Sequence, residues 1–416
     1  FGTVAHGYEE LWQSPGGRER IFNALVDIFK ENYWNPEHQD WDRWASGFHD
    51  RAVAAETRAD FDSALRSMVN ALGDDHSRWV GLASERAEPS ESARSPGLGF
   101  QHSFLVGQGL VVERVYPQTP AAAGGLQRGD LVLRVNGSEL RELPSAFELD
   151  GVLREAIGSG AVQLGLRRRG AFLNLRLEPA PVDFARLSEL PQADMLDAST
   201  GYLYLPSFRN EGTAASVNDL LLELQARGAT SLVLDLRDNL GGRLGELGLV
   251  LGAFIEGPWV EAVSGDAVIW RSSYERAPEY GLNLLETAEG EDFARDSLEL
   301  PVRFAGPLAV LVSRQNSSAG EIAPLVLQDL GRATILGEPT RGNVEAIQAF
   351  DLPDGSVVYV AVANLRGVSG RDFSQGLVPD IVVSESLSEL ARGFDAPLAE
   401  ALRAVKALPF TPGKVF

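Results

Sequence analysis

The segment Ser317-Ser318-Ala319-Gly320-Glu321 follows an apolar run, Leu308 to Val312, and opens a stretch of helical spacing that reaches Leu330. A serine at such a strand-to-helix junction has its hydroxyl beside the backbone N–H groups and the positive dipole end of the helix. That place suits a nucleophile whose attack builds an oxyanion. It equally suits a serine that caps the helix, and the segment alone leaves Ser317 and Ser318 both open to that role. A second segment, Asn239-Leu240-Gly241-Gly242, ends another apolar run. Paired glycines let backbone N–H groups approach a ligand, which an oxyanion hole requires; a tight turn of no catalytic meaning uses the same residues. A third, Pro96-Gly97-Leu98-Gly99-Phe100, can present successive N–H groups to a peptide's terminal carboxylate, with the next strand pairing to the extended chain.

Elements that would position these segments are legible in the hydrophobic spacing. Ile21, Phe22, Leu25, Val26 and Phe29 mark one helix and Phe61, Leu65, Met68 and Leu72 another, which Gly73 stops. Trp41 and Trp44 add apolar bulk between them. Ala87 to Pro96 is polar and proline-bearing and reads as a linker. Short strands follow at Leu110 to Val115, Leu131 to Val135, Val162 to Arg167 and Phe172 to Leu177, with a helix at Pro144 to Ile157. After Pro181, strands at Tyr202 to Leu205, Ser231 to Leu236 and Leu308 to Val312 alternate with helices, the pattern of an α/β layer. Ala396 to Val405 closes the chain as a short amphipathic helix.

Composition narrows the chemistry. The chain has 416 residues, 44% hydrophobic and 23% charged, with no apolar run long enough to span a bilayer. A net charge of −21 repels phosphate backbones and anionic lipid, so nucleic acid is not an expected partner, while the short apolar runs leave no membrane span expected. With no cysteine, thiolate nucleophiles, disulfides and Cys-ligated zinc are excluded. Only three lysines occur, Lys30, Lys406 and Lys414, all near the chain ends. The first residue is Phe1 rather than Met, which fits a removed secretory signal or an expression boundary.

Taken together, these residues resemble a known family. Gly97 to Phe100, Pro120 to Asp130 and Asn136-Gly137 are similar to a bacterial PDZ domain. Asp235 to Gly242, Ser318 to Glu321, Gln328-Asp329, Gly337 to Thr340 and Gly376 to Asp380 resemble the carboxyl-terminal processing proteases and their tricorn-core relatives. Leu72 to Ser77 is similar to the N-terminal helical domain of that family. The resemblance implies an α/β multidomain fold. It has an N-terminal helical domain at 1–88, a PDZ-like β-rich domain at 96–182, a crotonase-like α/β catalytic core at 183–384 and a helical tail at 385–416. It implies a serine endopeptidase that takes extended or unfolded polypeptides, exported to a bacterial periplasm or the exterior, with no cofactor and no metal. Ser318 would attack, the amides of Ala319 and of Gly241 or Gly242 would hold the oxyanion, and Gly97, Leu98, Gly99 and Phe100 would bind peptide. Glu321 would stabilise its helix start, and Arg237 would be an ion-pair partner or a solvated arginine.

One position departs from the pattern. Most members are similar in using a lysine base 25 residues after the serine; counting from Ser318 reaches Asn343, which cannot take a proton. The tricorn-like branch resembles this chain in placing a histidine where His76 stands, supported by a glutamate before the Gly-x-x-Pro-Asp segment. Here the third residue before Gly376 is Phe373, and the nearest carboxylate is Asp372. His76 is therefore the candidate base and Asp372 the candidate orienting acid, with His76 as a brace for its own helix as the alternative. His6, His38, His49 and His102 have no motif context. A non-catalytic protein binding peptides or apolar ligands on the same fold is the rival reading, and Asn343 is the residue that favours it.

Overall fold

The computed structural model describes residues 11–74, 76–82 and 95–407. The expected linker at 87–96 lies outside the described residues up to position 94, as does His6. Helix α1 (Pro15–Asn32) starts at Ser14, whose hydroxyl accepts the Gly17 N–H at 3.0 Å, with Pro15 in the first turn. Helices α2 (Trp41–Val53) and α3 (Arg58–Asn70) complete the helical layer. Their apolar faces bury Phe22, Leu25, Phe29, Trp44, Phe61 and Leu65 together. This core is not self-contained: Leu352, Val358 and Val360, from far along the chain, belong to the same cluster. Strand β1 (Arg78–Leu82) leads out of the helices.

The β-rich module begins with β2 (Ser95–Gly97), β3 (Phe100–Leu105) and β4 (Gly109–Val115), then the short helix α4 (Pro120–Ala123). It continues through β5 (Leu131–Val135), β6 (Ser138–Glu139), α5 (Ala146–Gly158), β7 (Val162–Arg168), β8 (Ala171–Leu177) and β9 (Ala180–Val182). The sheet order β3-β4-β5-β7-β8 leaves β3 on an edge, with β6 beside β5. Leu149 and Leu153 of α5 pack into the core that Leu110, Val112, Val132 and Leu164 form beneath the sheet.

The remaining chain opens with α6 (Phe184–Leu187), β10 (Gln192–Met195), β11 (Thr200–Tyr204), α7 (Thr213–Ala226), β12 (Ser231–Asp235) and α8 (Leu244–Leu251). An antiparallel ribbon follows: β13 (Gly257–Ser264), β14 (Ala267–Arg276), β15 (Tyr280–Thr287) and β16 (Asp292–Glu299). Then come β17 (Leu308–Val312), α9 (Ala319–Asp329), β18 (Thr334–Gly337), β19 (Ala346–Asp351), β20 (Ser356–Arg366), β21 (Ile381–Val382), α10 (Leu387–Leu390) and α11 (Ala396–Ala407). One sheet runs β10-β11-β12-β17-β18-β21, parallel except for β10. Side chains alternate across it. Leu308, Val310 and Val312 face the core that holds α7, α8 and α9, while Ala309 and Leu311 face α11. Burial on both faces is why these strands read as unbroken apolar runs. The other sheet joins the domains: β1 pairs with β20, which also pairs with β13 and β19.

Arg237, 6% exposed, ties three parts of the chain together. Its guanidinium meets Asp235 at 2.7 Å, Glu385 at 2.7 Å and Asp395 at 3.1 Å. From the β-rich module, Arg128 reaches Glu385 at 2.6 Å and Asp395 at 3.1 Å. The ion-pair reading of Arg237 therefore holds and the solvated one does not. Burial works against charge on Asp235, but Arg237, with Arg114 and the Tyr202 hydroxyl, overrides it and holds the carboxyl well below the usual carboxylate range. Burial likewise opposes charge on Asp395, and Arg237 and Arg128 again lower its pKa. Depressed folded values mean that this stability is fully present above the unfolded carboxylate value of ~3.9 and is lost as pH falls toward the folded values. Arg237→Leu, which strands buried Asp235, is expected to cost about 3–5 kcal/mol at neutral pH. Its loss should shrink below pH ~4, as protonation removes the stranded charge. Denaturant unfolding of both proteins at pH 7 and pH 3 measures this; an equal gap at both pH values would contradict it.

Candidate active site

Strand β17 ends at Val312, and the loop after it is held by Asn316. The Asn316 amide donates to Leu236 O at 2.6 Å and Asn239 O at 3.1 Å, and its oxygen accepts the Ser313 N–H at 2.7 Å. The loop delivers Ser318 to the N-terminus of α9 with φ 53° and ψ −132°. A non-glycine residue avoids that region, at a cost of ~1–3 kcal/mol that the surroundings must impose. Ser318 occupies the capping position, yet its side chain makes no capping bond. Capping therefore does not explain this serine. Ser317 contributes its carbonyl, which accepts the Gly320 N–H at 3.0 Å. The Ser318 N–H donates to Asn343 O at 2.7 Å.

The glycine turn lies against the serine. A Cβ on Gly241 would stand 2.7 Å from Ser318 Cβ, and one on Gly242 would stand 2.2 Å from the Phe208 carbonyl carbon. Both positions also have φ well into the positive range, so both require glycine. The expectation that either glycine could supply the oxyanion hole needs correction at Gly241. Its N–H donates to Asn239 Oδ1 at 2.9 Å, because the buried Asn239 carboxamide folds back over its own turn. Among the described residues the N–H groups of Gly242 and Ala319 have no acceptor.

His76 is 6% exposed, and its Nδ1 lies 2.8 Å from Glu345 Oε2. A carboxylate only accepts, so Nδ1 is the ring nitrogen that donates, which in a neutral imidazole makes Nε2 the acceptor. Asp74 fixes the backbone, accepting the N–H groups of His76 at 3.0 Å and of Ser77. The Ser77 hydroxyl in turn accepts the Ala361 N–H of β20 at 3.0 Å. Tyr33, whose pKa is pushed up by burial and by Asp74, stands beside this group. Asp372, the expected orienting acid, makes no hydrogen bond to His76 among the described residues. Its carboxylate accepts from Asn364 Nδ2 at 3.0 Å, from the Ser374 N–H at 2.9 Å and from the Ser374 hydroxyl at 2.8 Å, capping the turn Phe373–Gln375. Glu345 carries no motif, and its only sequence signal is a carboxylate two residues beyond Asn343. Among the described residues no hydrogen bond joins His76 to Ser318. What they share is one segment, since Asn343 holds the serine backbone and Glu345 holds the imidazole. The two described lysines are engaged elsewhere, Lys30 with Asp42 at 3.3 Å and Lys406 with Asp197 at 2.6 Å.

In the β-rich module, Gly99 has φ +82°, and a Cβ there would stand 2.2 Å from Thr119 Cβ. The carbonyls of Leu98 and Gly99 accept from the Ala121 N–H at 2.7 Å and the Tyr116 N–H at 3.0 Å. Leu98 and Phe100 turn their side chains into the core. Gly97 is packed under the Phe184 ring. Among the described residues the N–H groups of Leu98 and Gly99 have no acceptor. A polar cleft of about 460 Å³ separates this module from the core, with Gln101, Arg114, Asp238 and Gln315 on its walls. Arg114 bridges to Asp238 at 3.0 Å.

The chain is similar to known proteins in both sequence and fold. Residues 199–383 match peptidase family S41, and residues 111–156 match a PDZ domain. The C-terminal processing peptidase of the Tetradesmus obliquus chloroplast is 29% identical over 342 residues, 78% of this chain and 68% of that protein. The carboxy-terminal processing protease CtpA of Bacillus subtilis is 25% identical over 331 residues, 77% of this chain and 63% of that protein. The chain thus spans about two thirds of the length of these relatives. Among solved structures, the photosystem II D1 C-terminal processing protease has the same fold, with a TM-score of 0.51 at 24% identity over 91% of this chain and 98% of that one.

Proposed function

From a chain with a family S41 peptidase core and a PDZ domain, we propose a serine endopeptidase of the carboxyl-terminal processing type in which histidine replaces the lysine base. The observation that carries the reading is the His76–Glu345 pair at 2.8 Å, set on the segment whose Asn343 carbonyl holds the Ser318 N–H. In it, Nε2 of His76 takes the Ser318 hydroxyl proton as Oγ bonds to the peptide carbonyl carbon. The carbonyl π electrons move onto oxygen, which the N–H groups of Gly242 and Ala319 stabilise. The imidazolium, steadied by Glu345, gives its proton to the leaving amine as the C–N bond breaks. Water then attacks the acyl-enzyme by the same route and regenerates Ser318. None of these steps calls on a metal or organic cofactor. An exported location belongs to the same reading. Asn343 and the absent His76–Ser318 bond favour the rival, a binding protein without catalysis. A fluorophosphonate probe decides between them: labelling of the wild type at Ser318 supports the peptidase, and no labelling supports the rival.

Capture of the polypeptide is assigned to the PDZ domain. The free N–H groups of Leu98 and Gly99 and the open edge of β3 suit a terminal carboxylate followed by an extended chain. Amidating the C-terminus of a bound peptide removes charge-assisted hydrogen bonds worth ~1.5–3 kcal/mol. Calorimetric titration is therefore expected to show affinity falling about tenfold or more. Equal affinity for the acid and the amide would remove the carboxylate from the recognition.

A further inference from the structure

The first turn of α9 holds a carboxylate that the proposed chemistry leaves unused. Glu321 is wholly buried, with 0% exposure. Its Oε1 accepts the Gly342 N–H at 2.6 Å and the Thr340 hydroxyl, and its Oε2 accepts the Asn343 N–H at 3.0 Å. A carboxylate serving only the helix dipole would lie in the first turn facing water. This one is turned onto another segment, and all its bonds go there. Burial pushes its carboxyl up and the donors only partly offset that, so the fold keeps this group against a desolvation cost.

The segment it grips carries the other parts of the site. Asn343 presents the carbonyl that accepts the Ser318 N–H, and Glu345, two residues on, holds His76 Nδ1. The grip is tight on the far side as well: a Cβ on Gly342 would stand 2.0 Å from Ser374 O, and the Thr340 hydroxyl accepts the Leu377 N–H at 3.0 Å. We propose that Glu321 is the positioning residue that sets the register between Ser318 and the His76–Glu345 pair, by clamping residues 340–343 onto the nucleophile helix. This rests on the reading of Ser318 as nucleophile with His76 as base. The carboxylate form is required because both backbone partners are donors. An amide at this position would turn an NH₂ toward an N–H group, and the segment would have to shift.

The test compares Glu321→Gln with Asp380→Asn. Asp380, an exposed carboxylate, braces the far end of α9 and β18, accepting the Ile335 N–H at 2.7 Å and Gln328 Nε2 at 2.9 Å, and serves as a control for carboxylate loss on the same helix away from residues 340–343. A displacement of about 1 Å in a catalytic group costs on the order of 10²-fold. Glu321→Gln is therefore expected to lower kcat on a fluorogenic peptide, and the rate of fluorophosphonate labelling, by roughly 100-fold with KM nearly unchanged. Asp380→Asn should leave both rates near wild type. The NMR signal of the His76 Nδ1 proton should move in Glu321→Gln and stay in Asp380→Asn. Unchanged kcat in Glu321→Gln, or an equal loss in Asp380→Asn, overturns the clamp. If the wild type neither labels nor hydrolyses, the nucleophile reading fails by itself. The His76 signal then still decides the clamp, because a signal unmoved in Glu321→Gln overturns it.

Discussion

Ser318→Ala is expected to lower hydrolysis of an unfolded protein substrate by roughly 10⁶-fold, the scale seen when a serine hydrolase loses its nucleophile. Fluorophosphonate labelling should disappear with it. Stability should change little, because the Ser318 hydroxyl makes no bond to the helix and its backbone contacts, to Asn343 O and from Glu321 and Ile322, survive the substitution. Alanine meets the same positive φ that serine already accepts. The measurement is turnover with Tm recorded on the same sample. Hydrolysis retained in a properly folded Ser318→Ala protein would end the assignment and make Ser317 the next residue to replace.

The second large effect concerns the base. His76→Gln removes the proton acceptor and is expected to cost ~10²–10⁴-fold in kcat. Glu345→Gln should fall in the same direction by ~10²-fold or more, since the ring loses the partner that fixes its tautomer and steadies the imidazolium. Asp372→Asn should stay near the wild-type rate, because its bonds go to Asn364 and Ser374 and none to His76. Three rates under one set of conditions separate the possibilities. Loss in Asp372→Asn with wild-type turnover in Glu345→Gln would restore the carboxylate expected from the sequence. Wild-type turnover in His76→Gln would require another base altogether.

The parts of the site that the sequence discloses are local. Ser318 to Glu321 and Asn239 to Gly242 are contiguous, and close approach demands small residues at fixed offsets, so type and spacing reveal them. Glu345 has no such signature. Its partner His76 is 269 residues away, and nothing near either residue marks the pairing. Asp372 was attractive only through its nearness to Gly376, where the aspartate serves a turn. Glu321 looked like a helix-start residue because its contacts with residues 340–343 exist only after the chain has folded back. Fold elements divide the same way. Strands β12 and β17, buried on both faces, stand out as apolar runs, whereas β16 is mostly exposed and carries Asp292, Arg295, Asp296 and Glu299, so it reads as loop. The helical layer reads as a separate domain because α1 and α3 supply clean periodicity. Its core is completed by Leu352, Val358 and Val360, which no local pattern could assign to it.

The pairing of β1 with β20 also has a meaning in time. Synthesis runs from the N-terminal to the C-terminal side, so His76 is made well before Ser318. The strand after His76 finds its pairing partner only when residues 356–359 have followed, and the Ser77 hydroxyl meets its donor only with Ala361. Glu345, too, emerges after Ser318. Until then the imidazole proposed as base has neither its strand nor its carboxylate partner in place. Under the proposed chemistry, completion of the site is thus tied to the joining of the first and last thirds of the chain, and a chain cut short of these strands is expected to lack it.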